Sequence, residues 1–174
     1  MQPKVLLIIA KEKFQEEELF HTKEELENAG CSTTIASTGK GDCFGKNGKK
    51  AIATLALADA HHENFDAIAF IGGPGAHTLF DNKNAHRLAR EFHENNKPVG
   101  AICAAPGILA NTDLLQGKKA TCFADERPLL QKKGALLQTR HVVEDHHLIT
   151  ADGPAAARVF AKTLVHQLDR KKKL

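Results

Sequence analysis

The sequence predicts an α/β fold in which a mostly parallel sheet is covered by helices. Residues 5–10 are a continuous apolar run, which is typical of a strand buried on both faces. Residues 14–29 place apolar side chains at helical spacing, and Gly30 follows them as a C-terminal cap. The β-branched stretch 32–37 predicts a second strand. A strand, a helix and a strand in this order form a βαβ unit, whose two strands run parallel.

The rest of the chain alternates in the same manner. Residues 66–71 predict another buried strand, and the glycine-rich turn 72–75 follows at the carboxyl end, where open α/β sheets bind ligands. The glycines of residues 38–50 do not form a phosphate-binding fingerprint, so we predict no nucleotide or other cofactor. The other predicted elements are a short hairpin within 38–50, short helices over 55–64 and 126–133, a helix over 82–95, a strand over 118–123, a hairpin of 142–144 with 148–150, and a final helix over 154–168.

Composition bounds the class of protein. The 174 residues are 42% hydrophobic, enough for a single domain over 1–174 with a sizeable core. The chain has a net charge of +3 but no tryptophan, no tyrosine and no basic stripe, so we expect no nucleic-acid partner. The N-terminal apolar run is too short to span a bilayer and is not followed by a cleavage site, so we expect no membrane contact and a cytoplasmic location. Residues 171–174 are expected to form a frayed basic tail.

Cysteine and histidine spacing argues against disulfides and metals. No two of the four cysteines form a C-x-x-C pair, so we expect reduced thiols. Cys31 and Cys43 are interpreted as structural or surface thiols, and Cys122 as a core residue, with a partner for oxidation of Cys103 as the alternative. The densest histidines are the neighbours 61–62 and 146–147. Adjacent side chains diverge on a strand and on a helix alike, so we predict no metal site.

The fourth cysteine has a different setting. Cys103 lies between a short apolar strand ending at Ile102 and a helix expected to begin near Pro106. A thiol at such a strand-to-helix junction, flanked by small alanines, is typical of a nucleophile elbow. Free backbone N–H groups and the helix dipole there favour the thiolate. The alternative is a buried structural cysteine, which is the commoner role of a free cysteine.

Four short motifs then appear in a recognisable order along the chain. They are residues 16–20 (EEELF), 70–75 (FIGGPG), 101–106 (AICAAP) and 149–154 (ITADGP). With them the chain resembles the ThiJ/PfpI superfamily, a flavodoxin-like, class I glutamine amidotransferase-like group that includes the parkinsonism-associated deglycase and the archaeal intracellular protease. The resemblance covers essentially the whole chain. It implies a three-layer α/β/α sandwich with a nucleophile elbow, and a homodimer.

The resemblance also assigns roles to individual residues. Cys103 corresponds to the reactive cysteine of the superfamily, and Glu18 to its glutamate partner. Gly73 and Ala104 fall where the superfamily supplies backbone N–H groups to an oxyanion. The resemblance further suggests four residues as lining of the pocket: Gly72, His77, Phe123 and Glu126.

The chain departs from the superfamily pattern at two positions, which restricts the reactions expected of Cys103. Protease-like members carry a histidine directly after the cysteine, where this chain has Ala104, and deglycase-like members often carry one where this chain has Phe123. A protease or amidase is therefore disfavoured, because its base is missing. We predict a Cys103–Glu18 dyad acting on small reactive dicarbonyls or their protein adducts, as in a glutathione-independent glyoxalase or deglycase that protects under carbonyl stress. The alternative is a redox-sensing stress-response protein or chaperone whose Cys103 is oxidised.

Overall fold

A computed structural model describes residues 2–174, which form twelve strands and five α-helices. In chain order these are β1 (Lys4–Ile8), β2 (Glu12–Phe14), α1 (Glu16–Asn28), β3 (Ser32–Ser37), β4 (Gly41–Gly45), β5 (Lys50–Ala53), β6 (Leu55–Ala56), β7 (Ala67–Phe70), α2 (Lys83–Glu94), β8 (Val99–Ile102), α3 (Pro106–Asn111), β9 (Lys119–Ala120), α4 (Arg127–Lys132), β10 (Leu136–Leu137), β11 (Val142–Asp145), β12 (Leu148–Ala151) and α5 (Ala157–Lys172). None of the helices in this part of the chain is long and apolar enough to cross a membrane.

The central sheet has seven strands in the order β11-β12-β8-β7-β1-β3-β6. Its pairs are all parallel except the edge pair β11 and β12, which forms the predicted antiparallel hairpin. The predicted α/β fold with a mostly parallel sheet is thereby confirmed. Because β7, β8 and β12 are adjacent and parallel, the loops that follow them meet at one edge of the sheet.

The sheet separates two hydrophobic cores, which makes the fold a three-layer sandwich. Successive side chains of β1 point to opposite faces, so Leu6 and Ile8 enter one core while Leu7 enters the other. The first core is completed by apolar side chains of α2, α3 and α4, and the second by those of α1 and α5. All the β1 side chains from Val5 to Ile8 are fully buried, as expected for a strand covered on both faces.

The predicted helix over 55–64 is wrong. The chain there forms the two-residue strand β6 and two short 3₁₀ turns, Leu57–Asp59 and His62–Asn64. The Arg87 guanidinium on α2 donates hydrogen bonds to the carbonyl oxygens of Leu57 and Ala60, at 3.0 and 3.2 Å. These carbonyls therefore bind a neighbouring helix instead of continuing a helix of their own.

The predicted strand over 118–123 is shorter than expected and lies outside the central sheet. Only β9 is extended and paired, and its partner is β10. The Thr121 N–H instead donates to the Thr150 hydroxyl at 2.9 Å, and the Phe123 N–H donates to the Cys103 carbonyl at 2.8 Å. These bonds end the strand and hold the following turn, Ala124–Glu126, beside the cysteine.

The predicted frayed tail is also wrong in part, because α5 continues to Lys172 rather than ending near 168. Gln167 and Leu168 are buried, which anchors the turn before the tail. Arg170 forms an ion pair with Glu144 on β11, so the basic end of the helix is held against the sheet edge.

Candidate active site

Cys103 follows β8 at a sharp turn. Its φ is +65°, in the left-handed region, which costs a residue with a Cβ roughly 1–2 kcal/mol. The backbone is held in this conformation from both sides: the Cys103 N–H donates to the Ala151 carbonyl at 2.8 Å, and the Cys103 carbonyl accepts from Phe123. The chain thus has the predicted elbow. Helix α3, which follows the turn, has only six residues. Negative charge at Cys103 is therefore stabilised more by individual N–H groups than by the dipole of a long helix.

Glu18 is held behind the cysteine by the first turn of α1. The side-chain oxygen of Gln15 caps this turn by accepting from the N–H groups of Glu17 and Glu18, at 2.7 and 3.3 Å. The Glu18 side chain is fully buried, and its Oε1 accepts a hydrogen bond from the Gly72 N–H at 3.0 Å. Its Oε2 has no hydrogen-bond partner of normal geometry within residues 2–174. The carboxyl group interacts with the side chain of Cys103.

This pair binds protons more tightly than isolated groups would. Burial raises the pKa of Glu18 to about 7, although interactions with Cys103, the Gly72 N–H and Lys46 work against the rise. Burial also raises the pKa of Cys103, and the negative charge of Glu18 raises it further. Loss of one proton near neutral pH therefore leaves a pair that shares one negative charge and one remaining proton.

Two backbone donors face the sulfur. The N–H groups of Gly73 and Ala104 interact with the Cys103 thiol and favour its ionised form. Gly73 has φ +106°, a conformation that residues with a Cβ rarely adopt, and this turns its N–H toward the cysteine. Gln15 fixes the same turn from the other side, because its N–H donates to the Gly72 carbonyl at 2.9 Å. These are the two positions to which the ThiJ/PfpI resemblance assigns the oxyanion donors.

The thiol opens into a cavity of about 270 Å³. Only 7% of the Cys103 surface is exposed, and Cys103 is part of the wall of this cavity. Three of the four residues suggested as pocket lining do line it: His77, Phe123 and Glu126.

Gly72 does not line the cavity, contrary to the prediction. It lies behind the dyad, where a Cβ would come within 2.7 Å of both the Cys103 Cβ and Glu18 Oε1. The glycine is needed there for close packing of the strand ends.

Five residues of the cavity wall were not predicted from the sequence: Gln15, Lys46, Pro74, Asp125 and Pro154. Gln15 could have been found, because it directly precedes the acidic first turn of α1 at the N-cap position. Lys46 lies in the connection between β4 and β5, and its N–H donates to the Phe14 carbonyl at 2.9 Å. Nothing distinguishes it in the sequence from the other lysines of that stretch.

Within residues 2–174 no three histidine, cysteine or acidic side chains are grouped so that they could hold a metal ion. His147 instead contacts His93, with 2.8 Å between Nε2 and Nδ1, and His146 contacts its neighbour Asp145. The four cysteines are free thiols, all buried.

Comparison with known proteins identifies the family. The model of the DJ-1/PfpI family matches residues 3–167. The chain belongs to the DJ-1/PfpI family. The ThiJ/PfpI resemblance inferred from the four motifs is thereby confirmed.

Proteins of several organisms resemble this chain over most of their length. An uncharacterized protein of Methanocaldococcus jannaschii is 36% identical over 170 residues, which cover 96% of this chain and 83% of that protein. The crystal structure of a ThiJ/PfpI domain protein from Brachyspira murdochii has a TM-score of 0.95 at 31% identity, covering 97% and 98% of the two chains. Drosophila melanogaster DJ-1beta has a TM-score of 0.90 at 27% identity, covering 97% and 91%. The flavodoxin-like α/β fold is therefore shared with solved DJ-1/PfpI structures.

Proposed function

We propose that this member of the DJ-1/PfpI family is a cysteine-dependent enzyme acting on small reactive dicarbonyls or their protein adducts, of the glutathione-independent glyoxalase or deglycase type. One observation carries the proposal: the Cys103 sulfur faces a small cavity while a buried carboxyl, Glu18, lies directly behind it. A cavity of about 270 Å³ suits a molecule of a few heavy atoms better than a peptide. The homodimer and the cytoplasmic location stay predictions.

The first step is addition to an aldehyde, for which methylglyoxal serves as the model substrate. In the reactive form the shared proton lies on Glu18 and the charge on the Cys103 sulfur. The sulfur attacks the aldehyde carbon C1, a C–S bond forms, and the carbonyl π electrons move onto its oxygen, O1. The N–H groups of Gly73 and Ala104 stabilise this oxyanion by on the order of 3 kcal/mol each. Glu18 then protonates O1, which gives a hemithioacetal.

The second step is an internal redox isomerisation that needs no external oxidant. Glu18, now a carboxylate, removes the hydrogen of C1 and returns it to C2, so C1 is oxidised while C2 is reduced. O1 loses its proton as C1 becomes the carbonyl of a thioester, and the oxygen on C2, O2, gains one. Water then attacks the thioester, one of its protons passes to Glu18, and the Cys103 thiolate leaves. The other proton stays on the product, lactic acid, which ionises to lactate in solvent. Glu18 handles the carbon-bound proton, so the exchange at O1 and O2 requires a second acid–base group.

A second candidate function is redox sensing. Cys103 lines a cavity, whereas Cys31, Cys43 and Cys122 are not part of its wall. An oxidant that reaches the cavity would convert Cys103 first, and the adjoining Glu18 carboxyl could donate a hydrogen bond to a sulfinate oxygen. Mass spectrometry after mild peroxide treatment tests this candidate. Oxidation spread evenly over the four cysteines would rule it out.

The experiment for the proposed enzyme is lactate formation from methylglyoxal. We expect the wild type to form lactate without glutathione and the Cys103→Ser variant to form none above the uncatalysed rate. Cys31→Ser is the matched control, because Cys31 is also buried but lies just before β3, at the opposite end of the sheet. This control should keep the wild-type rate. A wild type no faster than Cys103→Ser would overturn the proposed function.

A further inference from the structure

A second proton-sharing pair lies in the wall of the cavity. His77 Nε2 and Glu126 Oε1 are 2.6 Å apart, and His77 Nδ1 is 3.0 Å from the Pro74 carbonyl oxygen. A carbonyl only accepts, so Nδ1 carries a proton and donates it. A further proton lies between Nε2 and Oε1, either on the imidazolium or on the carboxylic acid. The pair therefore holds one proton that can sit on either partner.

The surroundings stabilise this extra proton. Burial disfavours a charged His77, but the Pro74 carbonyl, the bond to Glu126 and the charges of Glu126 and Asp125 outweigh it and raise the pKa of His77. The Glu126 side chain is only 5% exposed, whereas that of His77 is 53% exposed. Glu126 is thus the buried member of the pair, and His77 exchanges protons with solvent.

One oxygen of this buried carboxyl is unused. Glu126 Oε2 is buried and has no hydrogen-bond partner within residues 2–174. A buried polar atom without a partner costs free energy, which a ligand hydroxyl placed against it would recover. Both nitrogens of His77 are already engaged, so the free acid–base atom of the pair is Glu126 Oε2.

The chain brings this pair to the dyad by two separate turns. His77 lies in the 3₁₀ turn Pro74–Leu79, directly after the oxyanion donor Gly73. Glu126 ends the turn that begins after Phe123, whose N–H is bonded to the Cys103 carbonyl. Both side chains line the same cavity of about 270 Å³ as Cys103.

We propose that Glu126 is the second acid–base group of this site. His77 is a positioning residue that holds the proton shared with Glu126 Oε1. The inference rests on the proposed function and supplies the group that its isomerisation step lacks. As C1 loses its hydrogen, Glu126 Oε2 accepts the proton of O1 and donates it to O2, while the proton between His77 Nε2 and Glu126 Oε1 stays in place. The thioester carbonyl forms when C2 receives its hydrogen, so the pair ends with the proton it began with. It fills the role left open by alanine at 104 and phenylalanine at 123.

The test is the pH dependence of lactate formation in variants of the pair. The titratable groups that face His77 and Glu126 across the cavity are Asp125, Lys46 and the Cys103–Glu18 dyad. In the wild type we expect kcat to fall at high pH as the pair loses its proton. Glu126→Gln should lower kcat about 10²-fold and remove this falling limb. His77→Gln leaves the Glu126 carboxyl in place, so it should lower kcat less than Glu126→Gln does. It should also shift the pH at which kcat falls.

The controls are His141→Gln and Asp152→Asn, which break a similar pair, 2.8 Å between Nδ1 and Oδ2, outside the cavity. Both should keep the wild-type kcat and pH profile. A Glu126→Gln variant that keeps kcat within twofold, or whose lower kcat follows an unchanged pH profile, overturns the inference. If Glu126→Gln fails to fold, the half-exposed His77→Gln decides by the same profile. A wild type no better than Cys103→Ser would instead remove the proposed function, and this inference with it.

Discussion

Replacing Glu18 by glutamine should abolish most of the activity and yet make the protein more stable. Glutamine keeps the shape of the side chain but cannot accept or return a proton. Loss of a positioned acid–base group costs about 10²–10⁴-fold in rate, and Glu18 acts in every step of the proposed cycle. We therefore expect kcat for methylglyoxal to fall about 10³-fold or more, measured as lactate formed.

The gain in stability follows from the raised pKa of Glu18. Burial raises its pKa to about 7 in the folded protein, from an ordinary value of about 4.5 in an unfolded chain. Folding then binds a proton between these two pH values, so the contribution of Glu18 to stability is complete below pH 4.5 and lost as pH rises through 7. The difference of about 2.5 pKa units corresponds to about 3 kcal/mol. At pH 8, the free energy of unfolding measured in urea should be higher for Glu18→Gln than for the wild type by about this amount. The difference between the two proteins should shrink as the pH falls toward 4.5.

The same variant should make Cys103 more reactive toward a simple alkylating reagent. Besides burial, the negative charge of Glu18 raises the pKa of Cys103, and glutamine removes that cause. At pH 8 the thiolate fraction should therefore rise, by tenfold for each unit that the pKa falls, and with it the rate of reaction with iodoacetamide. Turnover falls while thiol reactivity rises. A merely structural role for Glu18 would lower both.

Glu17→Gln is the matched control for Glu18. Glu17 lies on the same turn of α1 and bears the same charge, but its side chain is exposed. Its removal should leave kcat, thiol reactivity and the unfolding free energy near the wild-type values. If Glu17→Gln and Glu18→Gln behave alike, the dyad is not the source of the activity.

Local signals predicted most of the fold. The strand over 32–37 was predicted with its observed bounds, since β-branched residues followed a glycine stop. The helix over 82–95 was correct to one residue at each end, because Asn82 provides an N-cap and accepts from the Ala85 N–H at 2.9 Å. The elbow was predicted because its signal is also local, an apolar strand, a cysteine between small residues and a proline.

The features that could not be predicted from the sequence depend on contacts between residues far apart in the chain. Leu57 and Ala60 are compatible with a helix, and it is the distant Arg87 that binds their carbonyl oxygens. His77 and Glu126 were only suggested as lining, and their pairing joins residues 49 positions apart. No local pattern marks such a pair, because it depends on two turns that the sheet brings together.

Replacing Gly72 by alanine should damage both the stability and the chemistry, because this glycine separates the two members of the dyad. A Cβ here would lie 2.5 Å from the Ile102 carbonyl oxygen and 2.7 Å from both the Cys103 Cβ and Glu18 Oε1. The first contact is with backbone, which cannot turn aside, so the strand end must move. Such overpacking costs about 1–3 kcal/mol, and a shift near 1 Å in a catalytic group costs about 10²-fold in rate.

Gly39→Ala is the control for this substitution. Gly39 has no atom within 4 Å of its Cβ position and no left-handed φ. Its unfolding free energy should stay within about 0.5 kcal/mol of the wild type, with full activity. The measurements are urea unfolding and lactate formation, made for Gly72→Ala, Gly39→Ala and the wild type under the same conditions. Gly72→Ala with wild-type stability and kcat would show that Cys103 and Glu18 do not require the close approach on which the proposed proton sharing depends.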